Sequence, residues 1–223
     1  MNKGEQSCER DHTIKRSICP FLNSMANEGR VNTSGMFTCD EIVSETFQIA
    51  NVSKSLMRML LSSLKTMKMI LKDDIVDLSK LNAHGFIGHD ASLTRNDSVL
   101  QSTGFIAQLH PDGDLIQTLI GFASSDNNIS LSDLVKYRNY RKDTSKRNNP
   151  RFYWTWFNEF ISVGESCLLL SVFGDKKYNI PISTIRTLLY DERLPDNFTP
   201  VRHTGFIGLL TLMARFKALS YFN

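Results

Sequence analysis

Residues 152–174 read FYWTWFNEFISVGESCLLLSVFG, a long and mostly apolar stretch in the second half of the chain. The turn-forming run 148–150 (NNP) precedes it, and Gly174 follows its last apolar residue. Glycine is common just beyond the end of a helix. The stretch therefore predicts one long helix from Phe152 to Phe173, and a helix so apolar has to lie in a packed core.

Helix signals also occur on both sides of this stretch. Thr38 with Glu41, and Ser130 with Asp133, have the spacing of a capping box, which satisfies free N–H groups of a first turn. Pro20 suits the first position of a helix, where its missing N–H is not needed. The predicted helices are, in chain order, one opening at Cys19–Pro20, one from Thr38 through Gln48, one from an Asn51 cap to Ile70, one from Asp112 or Asp114 through Phe122, one from Ser130 into residues 138–147, the helix 152–173, and helices near Ser183–Tyr190 and Thr204–Leu219.

The organisation of the chain indicates a single domain. No segment shows the sustained polar–apolar alternation of a strand, and no internal repeat or Ser/Gly-rich linker is present. Residues 77–97 lose the helical period and are predicted to form a functional loop. A chain of 223 residues is long enough to bury a core of its own. We predict one compact all-α domain over residues 18–223, after a polar N-terminal segment over residues 1–17.

The composition excludes several classes of protein. With 41% hydrophobic and 10% aromatic residues, the chain is not intrinsically disordered. Its formal net charge of +3 gives no support for a nucleic-acid or membrane-surface partner. Arg58, Lys65 and Lys68 interrupt the apolar run 56–71 on one helical face, which predicts an amphipathic core helix and no membrane span. The segment 1–17 lacks the apolar region of a signal peptide, so an intracellular protein is expected.

One stretch, residues 136–147, is locally basic and has Tyr137 and Tyr140 interleaved among its Lys and Arg residues. It is either a nucleic-acid patch or the solvated face of a helix. The solvated face is favoured, because the rest of the chain is not basic.

The four cysteines follow no zinc-binding spacing, since no close pair recurs with a second pair. They are Cys8, Cys19, Cys39 and Cys167. In a chain without a signal peptide, thiols placed this loosely are expected to be free.

Cys19 lies where a helix begins, with Pro20 at the first helical position. The free N–H groups of that first turn and the helix dipole both favour negative charge at the sulfur. Both effects lower the pKa of a thiol and suit a thiolate. Such a sulfur is a nucleophile, a redox group or a metal ligand, and the alternative is an ordinary buried cysteine.

Two further residues carry chemistry in this sequence. Glu165 lies in the apolar helix, where burial would raise the pKa of its carboxyl and make it an acid or base. The alternative for Glu165 is a buried ion pair with Arg or Lys. His89 follows Gly88 in a polar loop beside Asp90 and Ser92, where an imidazole can orient a carboxylate or bind a metal. The alternative for His89 is an ordinary surface histidine.

The order of these elements resembles the heme-thiolate peroxidases, the family of chloroperoxidase and the unspecific peroxygenases. The signature of that family is a Pro-Cys-Pro turn continuing to Ala-Asn-His-Gly, then Glu-His-Asp-x-Ser, then a glutamate on a later helix. The resemblance covers residues 17–200 or so, and three ordered elements are more specific than a lone Cys-Pro pair. The matching segments are Cys19-Pro20 with Ala26-Asn27-Glu28-Gly29, then His89-Asp90-Ala91-Ser92-Leu93-Thr94-Arg95, then Glu165, and near the end Glu192-Arg193-Leu194-Pro195.

The resemblance implies a chloroperoxidase-type helical fold that holds heme b between the Cys19 turn and the helix of Glu165. It implies that Cys19 is the axial thiolate ligand of the heme iron, which favours cleavage of the O–O bond of peroxide. Glu165 would be the general base and then acid toward hydrogen peroxide, and His89 would hydrogen-bond Glu165 and orient it. The implied substrates are hydrogen peroxide and a small organic molecule, and Phe157 and Ile161 are expected to line the pocket.

The sequence departs from the family pattern at three positions, where Ile18 replaces a proline, Glu28 a histidine and Gly88 a glutamate. In the family that glutamate ligates a magnesium ion with a main-chain oxygen, the serine and a heme carboxylate. The candidates left for magnesium are therefore the main-chain oxygen of His89 and the side chain of Ser92, without the carboxylate that Mg²⁺ prefers.

Two other functions stay open at this point. A family member could bind heme without general peroxygenase turnover, in a specialised biosynthetic, sensor or carrier role, as Gly88 and the absent signal peptide suggest. A plain helical interaction protein would need all three matches to be accidental. The sequence gives no preference for an oligomeric state.

Overall fold

The computed structural model describes residues 15–85, 87–101, 104–106, 108–125 and 127–222. Within these ranges most regular structure is helical, which confirms the predicted all-α class. The helices are α1 (Pro20–Asn27), α2 (Cys39–Ala50), α3 (Lys54–Thr66), α4 (Gly113–Gly121), α5 (Leu131–Asn148), α6 (Trp156–Phe173), α7 (Ile182–Ile185, continued by a π-helical turn over Arg186–Tyr190) and α8 (Phe206–Ser220). None of these helices is long and apolar enough to cross a membrane.

Short strands accompany the helices, although the sequence predicted none. They form three antiparallel pairs, each two or three residues long, which join loops and do not build a core sheet. Runs this short cannot show the alternation by which a strand is recognised in a sequence. The strands are β1 (Met36–Thr38) with β2 (Ile75–Asp77), β3 (Val99–Gln101) with β4 (Gly104–Ile106), and β5 (Asn128–Ile129) with β6 (Ile180–Pro181).

The predicted helix starts hold at α2, α4 and α5, where a capping side chain marks each of them. The two predicted capping boxes are present, one at the start of α2 and one at the start of α5. At the start of α4, the Asp112 carboxylate accepts the N–H groups of Asp114 and Leu115. The long helix starts later than predicted, at Trp156, because Thr155 and Asn158 form a third capping box there. Its predicted end at Gly174 is confirmed.

The prediction for α3 was wrong at both ends. Asn51 does not cap α3, because it ends α2 in the left-handed conformation that Asn tolerates, with φ 49°. The cap of α3 is Ser53, whose hydroxyl accepts the N–H of Leu56. The helix stops at Thr66 and not at Ile70, because Lys68 has a positive φ of 58° that an α-helix cannot contain.

The core consists of two groups of buried side chains. One group comes from residues 50–56 and from helices α4 to α8, with Leu134, Leu170 and Phe216 fully buried. The other group comes from residues 25–81 and includes Met25 from α1. Side chains of both groups line one large cavity, so the cavity lies between them.

The basic stretch 136–147 is not a solvated helix face throughout, and this corrects the sequence-based expectation. Arg138 and Arg141 are only 2% and 5% exposed, and Tyr137 is fully buried. Arg138 forms an ion pair with Glu159 of the neighbouring helix α6. Arg138 and Arg141 thus connect α5 to neighbouring elements inside the protein. They are not available to a nucleic-acid surface, which leaves only part of the basic stretch exposed.

Candidate active site

The cavity between the two core groups has a volume of about 460 Å³. Ligand pockets in proteins span roughly 300 to 1,000 Å³, so a cavity of this size is large enough for a cofactor or an organic molecule. Its walls are mainly apolar side chains of α3, α6 and α8, and residues 92–98 add polar groups on one side. Cys19, His89 and Glu165 all line this cavity, as do Phe157 and Ile161, which were expected to do so.

Cys19 is the residue that precedes α1, and Pro20 occupies the first helical position as predicted. The N–H groups of Phe21 and Leu22 point at the sulfur and act to lower the pKa of the thiol. Burial acts in the opposite direction and outweighs them, so the pKa of Cys19 is raised above the ordinary value. The prediction of a lowered thiol pKa was wrong for this reason, since it left burial out.

The turn that carries Cys19 is held by buried polar side chains. The Cys19 N–H donates to the hydroxyl of Ser17 at 3.1 Å. The amide side chain of Asn23 brackets Ser17, because it accepts the Ser17 N–H at 2.9 Å and donates to the Ser17 carbonyl at 2.7 Å. Ser17 and Asn23 are both fully buried, which fixes the backbone on either side of the sulfur.

A buried ion pair continues this network away from Cys19. The Asn23 amide donates to the Glu192 carboxylate at 2.8 Å, and Glu192 is also paired with the guanidinium of Arg95. Glu192 and Arg95 are 2% and 3% exposed. Arg95 lines the cavity and its charge acts to lower the pKa of the Cys19 thiol, so this cation lies within electrostatic reach of the sulfur.

Glu165 projects from the middle of α6 into the cavity. Its side chain is 39% exposed, so the expectation of a carboxyl buried among apolar neighbours was wrong. The helix is apolar around Glu165, but this position faces the open space of the cavity and not the packed core. No Arg or Lys forms an ion pair with it among the described residues, and its recorded partner is His89.

The contacts of His89 define where its protons lie. One ring nitrogen, Nδ1, is 2.6 Å from the carbonyl oxygen of Asp90, and a carbonyl only accepts, so Nδ1 carries a proton. The other nitrogen, Nε2, is 3.2 Å from a carboxylate oxygen of Glu165. A hydrogen bond between these two atoms needs one further proton, which is held by either the imidazole or the carboxyl group.

The surroundings of His89 favour its protonated form. Burial lowers the pKa of His89, but the negative charge of Glu165 and the hydrogen bonds to Glu165 and to the Asp90 carbonyl outweigh burial and raise it above the ordinary value. The pair therefore shares one transferable proton, which His89 holds, and the Glu165 carboxylate is reachable from the cavity to accept another, as general acid–base chemistry requires.

A second layer of residues, which the sequence analysis missed, supports His89. The ring of Trp154 packs edge-to-face on the His89 ring, with centroids 5.5 Å apart. The Trp154 N–H donates to Glu159 at 3.0 Å, and Glu159 pairs with three cations. Partial burial would raise the pKa of Glu159, but hydrogen bonds from Arg138, Lys217 and Lys142 hold it well below the usual range. In the sequence, the one hint of this supporting group was a second glutamate, Glu159, six residues before Glu165 in the same predicted helix.

The position of Gly88 does not provide for magnesium. A Cβ at residue 88 would lie 3.0 Å from the carbonyl oxygen of Ala83, tighter than most real contacts, so a side chain there would need the backbone at Ala83 to shift. The Asp90 carboxylate cannot substitute, because it is buried and accepts the N–H groups of Ser98 and Tyr153. Among the described residues no three acidic, His or Cys side chains form a metal-binding group. The residues present do not fit a magnesium ion, and we assign it no step.

The two other departures from the family pattern have local structural roles. Ile18 donates its N–H to the side chain of Asn82 at 2.9 Å, a hydrogen bond that a proline could not make. The Glu28 carboxylate accepts the N–H of Leu194 at 2.8 Å, which joins the end of α1 to the segment around Glu192. Both contacts hold the Cys19 turn in place.

The thiols in the described part of the chain are free, as expected. Cys39 and Cys167 form no disulfide, and Cys8 lies outside the described residues. Burial raises the pKa of Cys167 to about 12, so that thiol is inert. Cys19 is the thiol of this set that lines the cavity.

Comparison with known proteins identifies a family and relatives to which the chain is similar. The family described as "Peroxidase, family 2" matches residues 8–203. The chain is 24% identical over 208 residues to the aromatic peroxygenase of Cyclocybe aegerita, covering 82% of this chain and 54% of that protein. It is also 24% identical over 194 residues to the chloroperoxidase of Leptoxyphium fumago, covering 83% of this chain and 48% of that protein. The chain thus spans about half the length of these curated relatives.

Proposed function

The chain belongs to peroxidase family 2, a family of oxidoreductases, and on that premise we propose that it is a heme-thiolate peroxidase or peroxygenase. In this proposal the chain uses hydrogen peroxide to oxidise or oxygenate small organic molecules in the cavity. The observation that carries the proposal is the placement of Cys19 and of the His89–Glu165 pair on the lining of one cavity. A heme bound in this cavity would therefore have both a candidate ligand for its iron, Cys19, and a pair of residues that can exchange protons, His89 and Glu165.

The residues of the cavity fit a heme group. Cys19 offers a sulfur whose neighbouring N–H groups are directed at it, as suits a thiolate ligand. The apolar side chains of α3, α6 and α8 would contact the faces of a bound porphyrin, and the polar residues Ser92, Thr94 and Ser98 would be available to hydrogen-bond its carboxylates. When bound, heme b would supply the redox chemistry, and thiolate ligation favours cleavage of the O–O bond.

The His89–Glu165 pair would handle the protons of hydrogen peroxide. Glu165 would accept a proton from peroxide in the cavity and then donate it to the oxygen that leaves as water. His89 would hold the Glu165 carboxylate in place through the 3.2 Å contact, and the Asp90 carbonyl would fix the His89 ring in turn. Positioned acid–base groups of this kind contribute about 100-fold to 10,000-fold to a rate.

The lining of the cavity also limits the substrate class. Phe157, Phe160 and Ile161 share the α6 wall with Glu165, and Met213 and Leu210 of α8 continue it. A wall of this kind binds apolar or aromatic molecules through their buried area and offers few hydrogen bonds to polar ones. We therefore expect uncharged, mostly apolar organic substrates.

The proposal is tested by heme uptake followed by peroxide-dependent turnover. The purified chain is titrated with heme, and oxidation of a generic aromatic compound is then followed with and without hydrogen peroxide. Uptake of one heme per chain with peroxide-dependent oxidation is the expected result. Heme uptake without oxidation across several aromatic compounds would favour the alternative, a heme-binding family member in a biosynthetic, sensor or carrier role. A chain that takes up no heme would overturn both.

A further inference from the structure

A continuous chain of buried polar contacts connects the Cys19 turn to the loop that carries His89. It runs from the Cys19 N–H through Ser17, Asn23 and Glu192 to Arg95, with distances of 2.7–3.2 Å up to Glu192. Arg95 donates its Nε–H to the Leu109 carbonyl at 3.1 Å and reaches Glu192 with its terminal nitrogen. Residues far apart in the sequence therefore meet at the cavity wall beside the sulfur.

The proposed function does not use the Arg95–Glu192 pair, and stability alone gives little reason for it. Removing two charges from water is expensive, and well-packed apolar residues often replace a buried ion pair without loss of stability. Arg95 lines the cavity, and its charge acts to lower the pKa of the Cys19 thiol. A cation that a buried carboxylate holds at this place contributes to the electrostatic potential at the sulfur.

We propose that Arg95 and Glu192 are positioning residues for Cys19. Glu192 holds the turn of Cys19 through Asn23 and at the same time neutralises Arg95. The balance between the two charges then determines how much electron density the sulfur donates to a bound metal, because an unmatched positive charge nearby withdraws density and a negative charge adds it. This inference rests on the proposed heme-thiolate function.

The test uses the heme-loaded protein and three variants of the pair. Glu192→Gln keeps the size of the side chain but leaves Arg95 unmatched, so the reduction potential of the heme should shift upward. Arg95→Met removes the positive charge and keeps the Glu192 carboxylate, so the reduction potential should shift downward. The double variant Arg95→Met with Glu192→Gln has neither charge and should return toward the wild-type potential. The Soret band of the ferrous carbon monoxide complex, read in parallel, reports whether the thiolate ligand is retained.

A buried carboxylate outside this network provides the matched control. Asp133 is 1% exposed and accepts hydrogen bonds from Ser124 and Ser130, and no ion pair joins it to another of the described residues. Asp133→Asn should lower the unfolding midpoint without changing the reduction potential.

Shifts of opposite sign in the two single variants would support the proposal, since loss of packing cannot change sign with the removed charge. Single variants that lose stability as Asp133→Asn does, at an unchanged potential, would overturn it. If the single variants do not fold, Glu192→Asp decides, because it keeps both charges but shortens the side chain that reaches Asn23. A thiolate band weaker than in wild type would support the proposal, and a band equal to that of wild type would overturn it. A wild-type protein without thiolate-type absorption would instead contradict the proposed function itself.

Discussion

The two walls of the cavity differ in how they hold their reactive side chains. The Cys19 wall, residues 17–23 with Arg95 and Glu192, encloses the sulfur in a turn whose polar neighbours are nearly all buried. The Glu165 wall, helix α6 with His89 and Trp154, presents a carboxylate that is 39% exposed and that pairs, within the described part of the chain, with His89. The Cys19 wall restrains the sulfur with a network of buried hydrogen bonds, whereas the Glu165 wall leaves the carboxylate reachable from the cavity.

This difference corresponds to two kinds of chemistry. A metal ligand has to keep one position and one charge, and a buried hydrogen-bonded turn provides both. A group that moves protons has to be reached by its reactant, so full burial would make it useless. The walls therefore respond differently to substitution, and four variants separate them, in order of decreasing effect.

Glu165→Gln should have the largest effect on turnover. The amide keeps the shape of the carboxylate but cannot take a proton, so peroxide-dependent oxidation should fall about 100-fold to 10,000-fold. Heme uptake and the absorption spectrum should stay as in wild type, because the Cys19 wall is untouched. Glu165→Asp is the control that keeps a carboxylate, and it should retain more activity than the amide. Equal activity of wild type and Glu165→Gln would remove the proton-transfer role.

His89→Gln should lower stability in a pH-dependent way. The pKa of His89 is raised in the folded chain above its ordinary value of 6.5, so protonated His89 stabilises the fold. This contribution is fully present below pH 6.5 and is lost as the pH rises through the raised folded-state pKa. The loss in the variant at low pH should be about 1.5 to 3 kcal/mol, as for a hydrogen bond to a charged group. Denaturant unfolding of both chains over a pH series measures it, and a difference that grows with pH would contradict this account.

Gly88→Ala tests the backbone packing next to His89. The added Cβ would lie 3.0 Å from the Ala83 carbonyl oxygen, so we expect a loss of about 1 to 2 kcal/mol in the free energy of unfolding. Gly121→Ala is a matched control, since a Cβ there meets no atom within 4 Å and alanine favours a helix. Gly88→Glu should gain no stabilisation from added magnesium. A magnesium-dependent gain would show that the loop can reopen this site.

Thr38→Ala should have the smallest effect and should leave both walls unchanged. The hydroxyl of Thr38 accepts the Glu41 N–H at 3.1 Å, and loss of such a cap lowers stability by about 1 kcal/mol. Heme uptake and turnover should equal those of wild type. A change in either would mean that loss of the cap is transmitted along α2 to Ile42 and Thr46, which line the cavity.

The helical fold was predictable wherever local chemistry decides it. The caps at Thr38, Asp112 and Ser130 act within one helical turn, so the sequence alone defines those starts. Asn51 was assigned to the wrong helix, because a residue between two helices can end one or begin the other and only tertiary packing decides. The short strands were missed for a related reason, since pairing partners such as β5 and β6 lie far apart in the sequence.

The site was predictable in its residues but not in their surroundings. Cys19, His89 and Glu165 could be named from motifs, and the structure brings all three to one cavity, while their roles stay predictions. The exposure of Glu165 could not be predicted, because an apolar helix can face a core or a cavity. The raised pKa of Cys19 depends on burial that only the folded chain defines. The contact of Asn23 with Glu192 joins residues 169 apart, which no local pattern reveals.

The central claim is that Cys19 is a thiolate ligand for heme, and one spectrum tests it most directly. The heme-loaded chain is reduced under carbon monoxide, beside Cys19→Ala and the control Cys39→Ala. We predict a Soret band shifted far to the red in wild type and in Cys39→Ala, and its loss in Cys19→Ala. A band typical of imidazole ligation in the wild type, or a red-shifted band that survives in Cys19→Ala, would contradict the account.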